Sequence, residues 1–533
     1  MIHLSSLRPG NLSVYQYQDG GIERVTGADG FDQHPIPTPD GKGVVYSGSE
    51  NGSHHLFYLS DGKKVKLTDH PLFEDHARFS LDGYLYFCSD YDGTVQIYRA
   101  KWEGVPIMMR DAEQITKGMG NCFSFAVSPD GKELVFSSNR DNQAEYMGPQ
   151  PDENFHAGQL YRMRIGSPET CKRLLGIEGG HWEGTPEYSP DGKFVVFYSN
   201  HDGLPKLYRY HFNLGALDKI SDKASAYPAF QDDGALLYSE KGKKYWKIRR
   251  ILCDGSQIRT VLKRDGNCIA PRPLSNNSFY FYSESGKAQS FVVDEGAVKG
   301  IPLRVIRGFF PIVEGKDTTY IEDMNSVKRC SHEIFKSDQF VFGLARTADG
   351  NTLTTEGVPF QSTESHLISL CPFKNLTGHL KPARNAHPSR AGDSIVFSRQ
   401  EFGGRKQLYL LKEDILERLA EDDEDHVFPT VHGERVVFSS TIDKKRYRLK
   451  VLDLKTREVQ VLTEGFVDIH ARFSPDGKSL VFTSNRGGMK TEKPLCFFFN
   501  PQPYGDLFLL DMETKIITQL TSSPYEDSTP EFE

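Results

Sequence analysis

Four histidines recur at one place in a repeated pattern, and they are the residues of this chain best suited to chemistry. Each stands four residues before a predicted tight turn, and together they are His34, His76, His387 and His470. Converging neutral imidazoles can hold a divalent metal ion, and carboxylates beside them can orient the rings or add oxygen ligands. Two residues before three of these histidines stand acidic residues: Asp32, Glu74 and Asp468. The pattern therefore indicates a candidate metal site, provided that the fold brings these positions together.

The elements that must position the histidines are the short strands of a repeat. Its clearest copies are a Ser-Pro-Asp-Gly-Lys turn followed by an apolar, aromatic run, at residues 128–136, 189–197 and 474–482. Proline presets φ and glycine accepts positive φ, so the turn is tight and the apolar run after it is a strand. Further strands follow in each copy. Four short strands in about 42 residues are typical of a propeller blade.

The repeat resembles the TolB-type β-propeller repeat in this turn and in the Ser-Asn-Arg segment that follows the second strand, at residues 138–140 and 484–486. The resemblance implies an all-β propeller of four-stranded blades. The copies of the turn, counted with weaker ones, predict about ten to twelve blades. Because a single propeller usually has four to eight blades, we expect two propellers rather than one very large ring, closed by pairing of N- and C-terminal strands.

The boundary between the propellers is predicted where the turn signature decays. We assign residues 1–265 to the first propeller and 266–533 to the second, with a degenerate or inserted segment at 317–380. Residues 527–532 read as a first strand with nothing after it, whereas 12–17 and 23–26 read as later strands of a blade. We expect these to complete one blade. Closure across the whole chain would mean that one propeller is inserted in the other, or that they share a blade.

Alternation of side chains along the first strand separates core from channel. One set of alternate positions carries bulky side chains, which predicts core residues between blades, such as Phe79, Tyr188, Phe230 and Phe473. The other set of alternate positions is polar and contains the four histidines with Arg78 and Arg472. These side chains should point at the central channel or its mouth. There the acidic and histidine side chains either satisfy strand ends or bind a ligand.

Two insertions between the second and third strands supply further binding candidates. Arg140 and Arg486 stand at their starts and either fix the inserted loops or bind a carboxylate bidentately. The second insertion also contains aromatic residues that either pack over the channel or bind a partner or sugar ring, namely Phe497, Phe498, Phe499 and Tyr504.

Composition excludes several classes. The 533 residues carry 64 Lys+Arg against 72 Asp+Glu, a net charge of -8, which does not favour nucleic-acid binding. No run of about 18 apolar residues predicts a membrane span. The eight cysteines form no C-x-x-C pair, and no secretory signal is visible, so we expect a cytoplasmic protein. Nucleophile-elbow, phosphate-loop and zinc-protease motifs are absent.

Two functional hypotheses stay open, and whether the protein is an enzyme stays open with them. The first is a non-catalytic binding or scaffold protein that recognises a protein or glycan at the channel mouth. The second follows from a weaker resemblance to oligogalacturonate lyases. It implies a divalent metal, Mn or Ca, on the four histidines and a substrate carboxylate on Arg78 or Arg472. A shared metal site requires the histidines to lie in one ring.

Overall fold

The structure, a computed structural model, describes residues 2–6, 12–27, 32–50, 53–68, 73–118, 120–141, 158–177, 181–284, 291–293, 303–306, 309–314, 317–322, 325–330, 332–346, 351–357, 364–401, 404–420, 422–441, 446–486, 505–522 and 527–532. Phe497, Phe498, Phe499 and Tyr504 lie outside these residues. The described elements are strands, apart from one short 3-10 helix, Met109–Asp111. Across these ranges no helix has the length and apolarity that a membrane crossing needs.

The strands are numbered in chain order. The strands up to residue 284 are β1 (Ile2–Ser6), β2 (Leu12–Gln18), β3 (Gly21–Arg24), β4 (Gln33–Pro37), β5 (Gly43–Glu50), β6 (Ser53–Ser60), β7 (Lys63–Lys66), β8 (Glu74–Phe79), β9 (Tyr84–Ser89), β10 (Gln96–Lys101), β11 (Glu113–Gln114), β12 (Cys122–Val127), β13 (Glu133–Ser138), β14 (Gln159–Arg164), β15 (Ser167–Arg173), β16 (Glu183–Tyr188), β17 (Phe194–Ser199), β18 (Lys206–His211), β19 (Ala216–Lys219), β20 (Ser225–Phe230), β21 (Leu236–Lys241), β22 (Trp246–Ile251), β23 (Arg259–Leu262), β24 (Ile269–Ser275) and β25 (Ser278–Glu284).

The remaining strands are β26 (Phe291–Val293), β27 (Leu303–Ile306), β28 (Phe309–Glu314), β29 (Asp317–Glu322), β30 (Ser326–Arg329), β31 (His332–Lys336), β32 (Phe340–Arg346), β33 (Thr352–Gly357), β34 (Ser365–Leu370), β35 (Phe373–Asn375), β36 (Ala383–Ala391), β37 (Ser394–Glu401), β38 (Lys406–Lys412), β39 (Ile415–Arg418), β40 (His426–His432), β41 (Arg435–Thr441), β42 (Tyr447–Asp453), β43 (Val459–Val461), β44 (Asp468–Phe473), β45 (Ser479–Ser484), β46 (Asp506–Asp511), β47 (Ile517–Gln519) and β48 (Asp527–Phe532).

These strands form four-stranded blades, as the repeat predicts. Blades 1 to 5 are β4–β7, β8–β11, β12–β15, β16–β19 and β20–β23, and blade 6 has the order β24-β25-β2-β3. Blades 7 to 11 are β28–β31, β32–β35, β36–β39, β40–β43 and β44–β47, and blade 12 has the order β48-β1-β27-β26. A single parallel bridge, Ser365 to Arg384, joins blades 8 and 9. The all-β propeller fold predicted from the repeat is confirmed.

The innermost strands form two closed cycles. In the first ring, β4, β8, β12, β16, β20 and β24 contact one another in that order, and β24 contacts β4 again. In the second ring, β28, β32, β36, β40, β44 and β48 do the same, and β48 contacts β28. In the described part of the chain these strands form two six-bladed propellers, in which each inner strand contacts an inner strand on either side.

Blades 6 and 12 show how the chain threads the rings. In blade 12, β48 pairs antiparallel with β1, with Ile2 opposite Phe532, and β1 pairs in parallel with β27. In blade 6, β2 pairs with β25, with Leu12 opposite Glu284. The first ring, residues 12–284, is thus inserted between β1 and the rest of the second ring.

This threading does not follow the predicted ranges 1–265 and 266–533. β24 and β25 complete the first ring, and β1 belongs to the second. The expectation that β2 and β3 complete the blade begun by residues 527–532 is also not met, because β1 already occupies the edge of β48. Within the predicted degenerate segment, the structure forms β29 to β35.

Local sequence explains the strands and their packing. In the tight turns, an Asp side chain accepts a hydrogen bond from the preceding Ser, as in Ser128 to Asp130 at 2.6 Å, and Gly131 has φ of 70°. Aromatic and aliphatic side chains of neighbouring blades interlock, and the cluster of blades 1 and 2 contains Val45, Leu85 and Phe87. The predicted core residues pack in such clusters: Phe79, Tyr188, Phe230 and Phe473.

The threading predicts which fragment folds alone. Residues 12–284 contain every strand of the first ring, so we expect this fragment to unfold cooperatively and to resist proteolysis. Residues 1–265 lack β24 and β25, and with them Phe279 and Phe281, whose burial stabilises by about 1.5–3 kcal/mol each. Thermal melts by circular dichroism and size-exclusion chromatography of both fragments measure this. Equal stability of 1–265 would contradict the threading.

Candidate functional site

One residue of each inner strand lies at a β-bulge near the ring centre. We call these the axial residues: His34, His76, Ser124, Thr185, Tyr227 and Ala270 in the first ring, and Phe310, Gly343, His387, Phe428, His470 and Thr529 in the second. All except Ser124 have positive φ, from 41° at Thr529 to 71° at Gly343. In a residue with a Cβ this conformation costs about 1 kcal/mol or more. The strand ladder shifts register at the same point, for example between Asp75 and Arg78, so the bulge turns side chains toward the axis.

Contacts that skip a blade show that these side chains meet on the axis. Arg272 of blade 6 lies 2.8 Å from Glu187 of blade 4, across blade 5. In the second ring, the rings of Phe310 and His470 lie 5.5 Å apart, across blade 12. Such contacts require both partners to point inward.

Two imidazoles and a carboxylate meet at the first-ring axis. The rings of His34 and His76 stack, with centroids 4.0 Å apart and planes at 23°. His34 Nδ1 lies 2.8 Å from Asp75 Oδ1, and the same oxygen accepts the His76 backbone N–H at 2.7 Å and the Ser47 hydroxyl. Burial raises the pKa of Asp75, but the neighbouring His34 and His76 outweigh it and hold that pKa well below its usual range. Burial, aided by His34, lowers the pKa of His76, which keeps its ring neutral.

Two guanidiniums lie beside this group, with one carboxylate between them. Arg272 pairs with Glu187, whereas Arg78 donates from Nη1 to the carbonyl of Ala77 at 2.8 Å. Within the described ranges no carboxylate lies within 4.0 Å of the Arg78 guanidinium. Burial, with the charge of Arg272, lowers the pKa of Arg78 to about 9. We name His34, Asp75, His76, Arg78, Glu187 and Arg272 the first-ring axial cluster.

The second-ring axis is aromatic. The rings of His387 and His470 both lie 4.2 Å from Phe428, and Phe310 lies 6.0 and 5.5 Å from them. Burial, with the charges of Lys406 and Arg472, lowers the pKa of His387 to about 3. Burial lowers the pKa of His470 well below its usual range. Both rings are therefore neutral at physiological pH.

The structure divides the four predicted histidines between the rings. It brings His34 and His76 together in the first ring, and it places His387 and His470 around Phe428 in the second. The predicted channel arginines divide in the same way, since Arg472 pairs with Glu531 in the second ring, Nε to Oε2 2.9 Å. A single site on all four histidines is not formed.

The acidic residues that were predicted to orient the four axial histidines contact neighbouring strands and not those four rings. Glu74 accepts from Thr68 Oγ1 at 2.8 Å and lies 2.9 Å from His55 Nδ1. Both carboxylate oxygens of Asp468 accept from Arg486 Nη2, at 2.8 and 2.7 Å. The Asp32 carboxylate lies against Gly48, where a Cβ atom would stand only 2.6 Å from Oδ1.

Asp75 is the functional candidate that sequence reasoning missed. Strict alternation puts Asp75 on the opposite face from His76. The bulge at His76 breaks the alternation, so adjacent residues both reach the axis. The positive φ of His76 that marks the bulge is visible only in the structure, so the sequence offered no signal for Asp75.

Arg140 and Arg486 fix their own blades. Arg140 Nη1 lies 3.1 Å from Cys171 Sγ, and its guanidinium lies 4.7 Å from the Phe136 ring centroid. Arg486 binds Asp468 and lies over Phe482 and Phe508. The inserted loops that the two arginines precede lie outside the described residues, so both interpretations of these arginines stay predictions.

Comparison with known sequences yields one partial relative. No family model matches the chain. Over 159 residues it is 30% identical to an uncharacterized protein of Agrobacterium fabrum strain C58, a match that covers 29% of this chain and 50% of that protein. The chain thus spans half the length of this relative.

Solved structures share the fold. A TolB structure from Agrobacterium tumefaciens is 18% identical, with a TM-score of 0.42 over 51% of this chain and 98% of that one. The tricorn protease is 13% identical, with a TM-score of 0.34 over 99% of this chain and 62% of that one. Oligogalacturonate lyase in complex with manganese is 15% identical, with a TM-score of 0.34 over 78% and 98%. At these identities the likeness concerns the fold alone, a propeller of TolB-type blades.

Asp32 gives a pH-dependent prediction. Burial raises its pKa from 3.8 to about 6, although Thr26 and Lys64 act in the opposite direction. A raised folded-state pKa contributes stability that is complete below about 3.8 and lost as pH rises through about 6. We expect Asp32→Asn to be more stable than the wild type at pH 7.5, with a gap about 1 kcal/mol smaller at pH 5. Urea denaturation at both pH values measures it, and a gap that does not change with pH would contradict the burial argument.

Proposed function

We propose that the protein is a non-catalytic binding protein whose first-ring axis recognises a carboxylate of a protein or glycan ligand. The observation that carries the proposal is the Arg78 guanidinium, which is buried beside Arg272 and has no carboxylate within 4.0 Å among the described residues. Arg78 and Arg272 are 9% and 6% exposed. A buried charge that no counter-charge contacts is costly, and a bound carboxylate would offset part of that cost.

The geometry of arginine suits this role. A guanidinium presents parallel N–H donors that match the two oxygens of a carboxylate, and such charge-assisted bonds are about twice as strong as neutral ones. The lowered pKa of Arg78 reflects its burial and the neighbouring charge of Arg272. An anionic group that enters the axis would raise that pKa toward its usual value and would be held in return.

Aromatic and neutral polar groups complete the proposed site. Tyr282 and Tyr227 lie 5.6 and 6.4 Å from the His34 ring, which gives the axis apolar surface beside the charges. Neutral His76 offers one N–H donor. This combination fits a uronate ring of an oligosaccharide or an acidic side chain on a protein loop.

A second candidate is the metal-assisted lyase of oligouronates, favoured by the donor set of His34, Asp75 and His76, whose ligand atoms lie within 4.8 Å of one another. Two imidazoles and a carboxylate suit Mn²⁺ better than Ca²⁺, which prefers oxygen ligands. However, ring nitrogens bind a metal in the plane of the ring, and stacked rings 4.0 Å apart do not aim both lone pairs at one ion. Asp75 Oδ1 is also engaged by three donors. We therefore rank this candidate second.

Arg78→Gln tests the first proposal. Isothermal titration with an oligogalacturonate and with an acidic peptide should show binding to the wild type and at least tenfold weaker binding to the variant. The reason is that hydrogen bonds to charged groups contribute about 1.5–3 kcal/mol. Arg99→Gln removes the same charge from the same blade, where Arg99 pairs with Glu113 away from the axis, and is the control. Equal affinity of the wild type and Arg78→Gln would refute the proposal.

Chelation separates the two candidates. Under the binding proposal, treatment with EDTA leaves the affinity of the wild type for its carboxylate ligand unchanged. Under the lyase candidate, purified protein carries about one divalent ion by elemental analysis, and His34→Ala and His76→Ala lose it. Detection of that ion, together with unsaturated sugar products that absorb ultraviolet light, would favour the lyase.

A further inference from the structure

Four aromatic rings meet at the second-ring axis and leave a small space that the proposed function does not use. Contacts at centroid distances of 4.2 to 6.0 Å join the rings of Phe310, His387, Phe428 and His470. The space that they enclose also borders Gly343 and admits about one water molecule or one monatomic ion. An occupant of this space is therefore no larger than a single small molecule or ion.

Two imidazole nitrogens at this space have no hydrogen-bond partner. Nδ1 of His387 and Nδ1 of His470 are both buried and unpaired among the described residues. His470 is only 5% exposed. A polar atom left unpaired in this way loses its hydration without compensation. A ligand that bonds to both nitrogens offsets part of that loss.

Gly343 is the axial residue that keeps this space open. A Cβ atom on Gly343 would stand 3.5 Å from His387 Nδ1 and 3.2 Å from His387 Cα. Its φ of 71° does not by itself require glycine, because the axial residues Phe310 and Phe428 carry side chains at φ of 51° and 53°. The missing side chain therefore leaves room directly beside the unpaired nitrogen.

The charges around the space favour an anion over a cation. Arg472 is the charged residue of the lining, and Lys406 and Arg472 are the charges that act on His387. Glu531 pairs with Arg472, and burial raises the pKa of Glu531, so this carboxyl is less readily ionised than usual. Asp425 attracts Lys406 but does not line the space.

The two histidines can serve as donors to such an ion. Each neutral imidazole carries one N–H, and a ligand that accepts hydrogen bonds selects the tautomer with the hydrogen on Nδ1. Hydrogen bonds to a charged acceptor are about twice as strong as neutral ones. A monatomic anion thus satisfies both nitrogens and fits the available room.

We propose that the second-ring axis binds one halide ion, such as chloride, between Nδ1 of His387 and Nδ1 of His470, with Arg472 as the nearby positive charge. His387 belongs to blade 9 and His470 to blade 11, so the ion links two blades that are not neighbours and stabilises the ring. The site shares no residue with the first-ring axial cluster. The inference goes beyond the proposed function and does not depend on it.

The test uses sodium chloride as the probe and the full chain as the protein, with sodium gluconate holding the ionic strength constant. Chlorine-35 NMR should show broadening of the chloride line that saturates and that excess bromide reverses. Circular dichroism melts should show a Tm higher by about 2–4 °C in saturating chloride than in gluconate, because the ion binds only the folded ring.

Variants at the axis locate the ion. Gly343→Ala places a methyl group beside His387 Nδ1, and we expect it to weaken chloride binding at least tenfold. Gly433→Ala is the matched control, because Gly433 also has positive φ, 60°, but has no atom near its Cβ position. His387→Phe and His470→Phe keep an aromatic ring and remove the donors, so each should also lose about tenfold in affinity.

Two further comparisons make the outcome decisive. A halide held at the first ring is recognised with Arg78→Gln, which should change the second-ring affinity by less than twofold. Arg472→Gln replaces any axial variant that does not fold, with the same expected loss. Absence of saturable broadening in the wild type, its persistence in Gly343→Ala, or its loss in Arg78→Gln alone would overturn the proposal and leave the axis with a water molecule at most.

Discussion

The structure depends on a β-bulge that each inner strand makes where it approaches the ring axis. Six strands that converge on an axis need to turn side chains inward without losing the ladder to the second strand. A residue with positive φ does this by adding a local kink, and the ladder resumes two residues later. The cost in backbone strain is repeated around each ring, and packing between blades offsets it.

The same bulge produces different chemistry in the two rings. In the first ring it collects two guanidiniums and two carboxylates beside a pair of histidines. In the second ring it collects neutral histidines and phenylalanines, and burial suppresses their protonation. The same β-bulge therefore gives one polar axis and one apolar axis. The side chain at a single position of each repeat determines whether the axis is polar or apolar.

Much of the fold could be predicted from sequence because the turn chemistry is local. Residues such as Asp130 and Gly131 define their turn within five positions, and the repeat of that turn reveals the blades. The axial histidines His34, His76, His387 and His470 were also found, whereas Gly343 was not, because glycine carries no side-chain pattern to count. The partner of Asp75 and the pairing of β2 with β25 could not be predicted. The first depends on the bulge breaking alternation, and the second joins residues more than 260 positions apart.

The pairing of β1 with β48 also determines how the molecule responds to mechanical load. Ile2 lies opposite Phe532, so tension between these two residues separates the antiparallel strands one hydrogen bond at a time rather than shearing the whole ladder at once. Blade 12 is therefore the first to carry the load when the chain is pulled from these two residues. The first ring is inserted in the chain after β1, so it bears tension only after β1 has separated from β48. The second ring therefore opens before the first.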